Sequence, residues 1–179
     1  MIVISIIIII IILFFIYKSD QYKKIDKLIN KKDLALSRIN GYLIIKKDNI
    51  LVVCTEINEV TDKEVFKNLE DLKTDFDDII KEDNLLKELY SSLRSYLIIN
   101  KNFVGTDKFN ESLNIIKHTE VELIAVKTYY NDIASEYNTL ISRFPNTIKA
   151  KKEGLSYLYE FNVEKDVLFD ILKKDDASN

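Results

Sequence analysis

Few side chains in this sequence are suited to chemistry. There is one histidine, His118, and one cysteine, Cys54. A single copy of each excludes the usual Cys/His zinc sites. A nucleophile–histidine pair would have to use His118. His118 sits beside Lys117 and reads as an exposed or interfacial helix residue. Cys54, inside ILVVC (50–54), reads as a small buried hydrophobe, and a lone cysteine forms no intramolecular disulfide. Asp71, Asp75, Asp77 and Asp78 form a dense acidic patch. A calcium loop needs spaced acids around a central glycine, and none is there, so the patch reads as a solvated face. No catalytic, cofactor-binding or metal-ligating set is assigned. The formal net charge of −3 lacks the basic excess of a nucleic-acid binder.

Other polar residues have more informative spacing. Tyr130-Asn131 and Tyr137-Asn138 lie seven residues apart, so two helical turns put both tyrosines on one stripe. They read as core tyrosines whose hydroxyls reach a partner, with Asn131 and Asn138 capping or cross-linking neighbouring helices. The alternative is a polar ligand or partner groove. Lys32 and Lys46 interrupt an apolar stripe, where a lysine either snorkels to solvent or pairs with an acid from another helix. Asp83 reads first as a helix cap and second as such an acid.

The elements that carry these residues are helical. Three glycines and one proline leave few tight turns, and 47% hydrophobic with 31% charged residues suits long amphipathic helices. Apolar residues recur three and four apart from Tyr22 to Val60, as a bundle seam requires. Gly41 falls inside that seam and suggests a close helix approach. Thr61 to Glu64 has the form of a capping box, so a new helix is expected there. Its stripe runs from Val65 to Leu97 and is expected to split at Lys81–Asn84. The segment 100–105 is the clearest loop, with Thr106 as N-cap of the next stripe. That stripe runs from Phe109 to Phe144 and stops at Pro145. A Lys-rich link (146–154), an aromatic segment (155–161), a short helix (163–174) and a polar tail complete the chain.

Residues 1–17, MIVISIIIIIIILFFIY, are uncharged and span about 25 Å as a helix, close to a hydrocarbon core. A cleaved signal peptide is disfavoured, because no Lys or Arg precedes the run and no small-residue cleavage site comes after it. Lys18, Lys23, Lys24, Lys27, Lys31, Lys32 and Arg38 flank it on the C-terminal side. The positive-inside rule then puts the N-terminus outside and the remainder in the cytoplasm.

The paired Tyr-Asn motif, with Phe144-Pro145 after it, resembles the bacterial LemA family. Lys127 stands where that family usually has Arg, and Glu120 where it usually has an acid. KKDNILVV (46–53) resembles the family's basic pair and adjoining apolar run, with Leu51 in place of its usual Pro. The resemblance covers nearly the whole chain and is specific in 127–145. It implies a short transmembrane anchor and a helical domain with no catalytic residues to carry over. Its motif positions here are Lys127, Tyr130, Asn131, Tyr137, Asn138, Phe144 and Pro145.

The expected fold is all-α: an antiparallel up-and-down four-helix-type bundle with an N-terminal transmembrane helix. The expected organisation is an anchor (1–17), a LemA-like bundle (18–162) and a short helix with a tail (163–179). The function expected is a single-pass scaffold or protein-interaction module of the bacterial cell membrane, not an enzyme. It would hold the bilayer through Met1 to Tyr17 and bind protein partners, without nucleic acid, metal or cofactor. The alternative is a ligand-binding sensor bundle. A sensor of the usual kind needs a second membrane helix and an output domain, and neither is legible here.

Overall fold

The computed structural model describes residues 2–62, 64–67, 69 and 78–163. It contains four helices: α1 (Ile2–Thr61), α2 (Ile79–Ile99), α3 (Asp107–Ile141) and α4 (Asn146–Glu153). The described residues contain no strand, and the fold is an all-α bundle with a long apolar N-terminal helix. The chain forms two compact units, one from residues 2–36 and 128–162, the other from 37–127. Both α1 and α3 contribute to each.

In the 37–127 unit the expected seam closes a core of Ile39, Leu43, Ile50, Val53, Cys54 and Ile57 from α1. Leu86 and Leu93 of α2 and Phe109, Ile116 and Leu123 of α3 complete it. Contacts set the helix directions. Lys46 meets Glu120 and Glu56 meets Thr106, so α3 runs antiparallel to α1. Asp83 meets Lys127, and Tyr90 one repeat later feels the charge of Glu120 one repeat earlier, so α3 also runs antiparallel to α2. The helices α1 and α2 are therefore parallel to one another, so the bundle is all-α as expected but these two consecutive helices do not alternate in direction as an up-and-down order would have them. Thr106 caps α3 as expected, its hydroxyl oxygen accepting from the Phe109 amide at 3.2 Å.

Several local expectations are corrected. Thr61 opens no new helix: its hydroxyl donates back to the Ile57 carbonyl at 2.7 Å, and residues 64–67 are irregular. Helix α2 does not split at Lys81–Asn84 but runs unbroken from Ile79, because Asp78 supplies the cap, accepting from the Ile80 amide at 2.9 Å. Asp78 thus leaves the acidic patch for a structural task, while Asp71, Asp75 and Asp77 lie outside the described residues. Gly41 is no close approach, since a methyl group there would meet nothing within 4 Å. The tight contact is at Gly105, where a Cβ would fall 2.4 Å from the Phe109 ring. The Lys-rich link is the helix α4, ended by Gly154 in the left-handed region at φ 66°. The helix expected from residue 163 lies outside the described residues beyond Val163.

In the 2–36/128–162 unit, residues 2–17 of α1 are exposed throughout, and burial begins at Ile25, Leu28 and Ala35. Tyr130, Ile133, Ala134, Tyr137 and Ile141 of α3 are buried, as is Phe161. Helix α4 is tied to α1 by Lys149, which is buried, pairs with Asp26 and lies 5.4 Å from the Tyr22 ring centroid.

Candidate functional site: a buried charge ladder and an asparagine-clamped segment

The core of the 37–127 unit contains a ladder of charged side chains. Seven-residue spacing places Asp83 and Tyr90 on one face of α2, and Glu120 and Lys127 on one face of α3. Antiparallel packing brings Asp83 to Lys127 at one level and Tyr90 to Glu120 two turns away. Lys46 enters the second level from α1. Its Nζ lies 2.6 Å from Glu120 Oε2 and 5.3 Å from the Tyr90 ring centroid. Asp83 is shared between Lys127 and, at 3.8 Å, Lys87. Lys47 pairs with Glu82 at 3.1 Å beside them.

Burial is nearly complete: Lys46 is 0% exposed, Lys127 2% and Asp83 1%. A charge so placed is costly unless paired, and the pair repays its desolvation only with good geometry. Burial pulls the Lys127 ammonium below the usual lysine range, while Asp83 acts in the opposite direction. Burial raises the Tyr90 phenol, and the Glu120 charge raises it further. The ladder therefore fixes register. Sliding α3 by one turn would separate Lys127 from Asp83 and Glu120 from Lys46 at once. Of the two seam lysines, Lys46 pairs across helices and Lys32 does not. Lys32 reaches its exposed neighbour Asp33 at 2.8 Å. Asp83 is an ion-pair partner within α2, not a cap.

The Tyr-Asn motif builds a different arrangement in the other unit. Residues 155–161 have no regular secondary structure, and the stretch from Leu158 to Phe161 runs antiparallel to α3, since Leu158 meets Asn138 and Phe161 meets Asn131. Asn138 donates to the Leu158 carbonyl at 2.9 Å and accepts from the Leu158 amide at 2.8 Å. Asn131 does the same for Phe161, both bonds at 2.8 Å. Each carboxamide thus replaces a strand partner, satisfying both backbone groups of one residue. The spacings agree physically. Seven helical residues rise about 10.5 Å, and three extended residues cover about 10 Å. Tyr130, next to Asn131, packs edge-on to Phe161 with centroids 5.1 Å apart. Burial raises the phenols of Tyr130 and Tyr137, Tyr137 also through the charge of Glu153. The asparagines therefore do not cross-link helices, as expected from sequence, but clamp an extended segment. The carboxamides of Asn131 and Asn138 are thereby committed to backbone partners.

The remaining motif residues divide. Phe144 is exposed and stacks on Phe14 at 6.0 Å. Pro145 is buried and precedes the first residue of α4. Lys127 belongs to the ladder. His118 is exposed, and Cys54 is buried, its thiol pushed up to about 12 by desolvation. An open groove of about 590 Å³ lies along α1 and α3, walled by solvated groups of both signs, including Lys24, Asp132, Glu136 and Arg143. Sequence reasoning misses Lys47, Glu82, Lys87 and Tyr90 of the ladder, and Leu158 and Phe161 of the clamp. The interruption of the seam by Lys46 is the available signal for the first group. No family model matches the chain, and neither does any curated protein or solved structure.

Proposed function

We propose that this chain is a single-pass, membrane-anchored helical scaffold or protein-interaction module of LemA type, held at the cytoplasmic face of a bacterial cell membrane. The observation that carries the reading is within α1. Residues 2–17 are uniformly exposed and apolar, whereas the same helix is buried at Ile25 and Leu28. Such an apolar surface requires a nonaqueous partner, and its length suits a bilayer. The basic flank from Lys18 onward favours a cytoplasmic location for the rest of the chain.

The family reading is supported by the tasks that the motif residues take. Asn131, Asn138, Tyr130 and Lys127 all hold the fold together. This reading assigns no catalytic step. The charges of Lys46, Asp83, Glu120 and Lys127 are mutually paired and buried, and the Cys54 thiol stays protonated at neutral pH. The experiment uses the full chain in cells. Alkaline carbonate should leave it in the membrane pellet, and release would overturn the anchor. A Val104→Cys probe on a Cys54→Ala background should resist an impermeant maleimide until the cells are permeabilised, because position 104 is exposed. Labelling in intact cells would overturn the orientation. Photocrosslinkers at exposed Ile99 and Tyr157 should give discrete protein adducts. Their complete absence would overturn the interaction reading.

A further inference from the structure

The α3–α4 corner carries a surface that the anchor does not explain. Phe144 is 66% exposed there, although it is a large apolar side chain. Its ring stacks on Phe14, at 6.0 Å and 22° between planes. Phe14 lies inside the apolar run, four residues before Lys18, which places it about 6 Å along the helix from the first charge. Phe144 therefore lies at the depth of the last apolar turn, below the level of the first lysine.

The exposed residues of the corner itself are apolar and cationic, although the groove that Arg143 lines also holds Asp132 and Glu136. Arg143 precedes Phe144 and is exposed. Helix α4 begins at Asn146 and presents exposed Ile148, Lys151 and Lys152. The nearby acids Asp20 and Glu153 face Lys24 at 3.1 Å and Lys149 at 3.8 Å. Lys149 itself is turned inward to Asp26 and Tyr22. An exposed apolar side chain stacked on the membrane helix, with Arg143 next to it in sequence and two exposed lysines on the helix after it, fits an anionic bilayer interface.

We propose that the corner formed by Arg143, Phe144, Pro145 and the exposed face of α4 is a second membrane contact. Phe144 lodges among acyl chains beside Phe14, and Arg143, Lys151 and Lys152 meet anionic headgroups. The proposal rests on the reading of residues 2–17 as a bilayer anchor. It adds that one end of α3 is fixed to the membrane surface as well, so that this unit cannot swivel freely about a single helix.

The chain contains no tryptophan, so a single introduced indole reports its own position. Full-length Phe144→Trp, Phe15→Trp and Tyr159→Trp variants are reconstituted in phosphatidylcholine–phosphatidylglycerol vesicles. A matched set contains phosphatidylcholine brominated high on the acyl chains. Phe144→Trp is expected to emit to the blue of Tyr159→Trp and to lose emission to the bromines, whereas Tyr159→Trp does not. Quenching of Phe15→Trp without quenching of Phe144→Trp overturns the corner contact and leaves the anchor standing. If Phe15→Trp is also unquenched, the anchor reading fails and the corner contact with it. A nitroxide on Phe144→Cys, in a Cys54→Ala background, gives an independent measurement. It should be more accessible to oxygen than to a nickel chelate, and the reverse order overturns the proposal. Reversing charge at Arg143, Lys151 and Lys152 should weaken Phe144→Trp quenching in anionic vesicles more than in zwitterionic ones, and equal effects overturn the headgroup assignment.

Discussion

The 37–127 core and the seam along residues 128–162 both bury polar groups, but of different kinds. The first joins three helices through full charges: Lys46 with Glu120, Lys127 with Asp83 and Lys47 with Glu82. The second joins a helix to an extended segment through neutral carboxamides, Asn131 and Asn138, bonded to backbone. Losing one charge of a buried pair leaves the other stranded in a medium that cannot solvate it. Losing one carboxamide frees backbone groups on a segment with exposed neighbours, Tyr157 and Tyr159, that water can reach. The charges make errors of register costly throughout the core. The amides make one local attachment specific.

The largest expected effect tests the charged side of that contrast. Asp83→Leu leaves the Lys127 ammonium without its carboxylate inside the core. It should cost about 3–5 kcal/mol, read as a lowered thermal midpoint of the full chain in mild detergent. The double change Asp83→Leu with Lys127→Met removes both charges and should recover most of the loss or exceed wild type. A double variant as unstable as the single one would mean that the ladder acts by shape and not by charge.

The amide side should respond less and more locally. Asn138→Ala removes two bonds to Leu158 and should cost about 1–3 kcal/mol. Hydrogen exchange should accelerate at the Leu158 amide and leave the amides of α2 unchanged. Asn131→Ala should do the same at Phe161. If either substitution destabilises α2 as much as Asp83→Leu does, the distinction between local attachment and core register is lost.

How far these two arrangements are legible in sequence differs for physical reasons. The helices are set by three-and-four spacing, and the N-cap at Thr106 by its chemistry. Lys46 and Asp83 are visible as defects in apolar stripes, and Glu120 and Lys127 through the family resemblance. Which defect meets which depends on helix direction. An alternating order misaligns α1 with α2, whereas the observed parallel order brings Lys46, Tyr90 and Glu120 together. The helix start expected at Thr61 is misplaced because Asp78, which reads as one of several clustered acids, holds the real cap. The seven-residue repeat of Asn131 and Asn138 is legible, but its partner is not. A helix repeat of seven matches an extended repeat of three, and nothing in the aromatic segment 155–161 marks it as extended until it is laid on α3.

Cys54 gives a third, pH-dependent test of the same core. Desolvation raises its thiol from 9.0 to about 12. The folded state thus keeps a proton that the unfolded state releases above pH 9. Stability from this residue is complete below pH 9 and falls as pH rises toward 12, by about 1.4 kcal/mol per unit. Cys54→Ala should flatten that part of the stability curve, measured as the wild-type-minus-variant difference between pH 9 and 11. The Tyr90 phenol is also raised and contributes a decline with the same sign that persists in the variant. An unchanged slope in Cys54→Ala would mean that the thiol is solvated and the core around it open.

The smallest effect concerns Gly41, on the stretch of α1 that leads into the ladder. A glycine in a helix interior costs up to about 1 kcal/mol relative to alanine through backbone entropy. At Gly41 a methyl group meets nothing within 4 Å, so Gly41→Ala should recover about that amount as a raised thermal midpoint. Gly105→Ala should have the opposite sign, because its methyl would fall 2.4 Å from the Phe109 ring, a buried side chain of the same core. The pair sharpens the contrast between the two regions. If stiffening α1 at Gly41 raises stability without altering exchange at Leu158 and Phe161, the clamp is governed by its own amides. If exchange there slows in step with the midpoint, the clamp opens only when the charged core does, and the two behave as one cooperative structure.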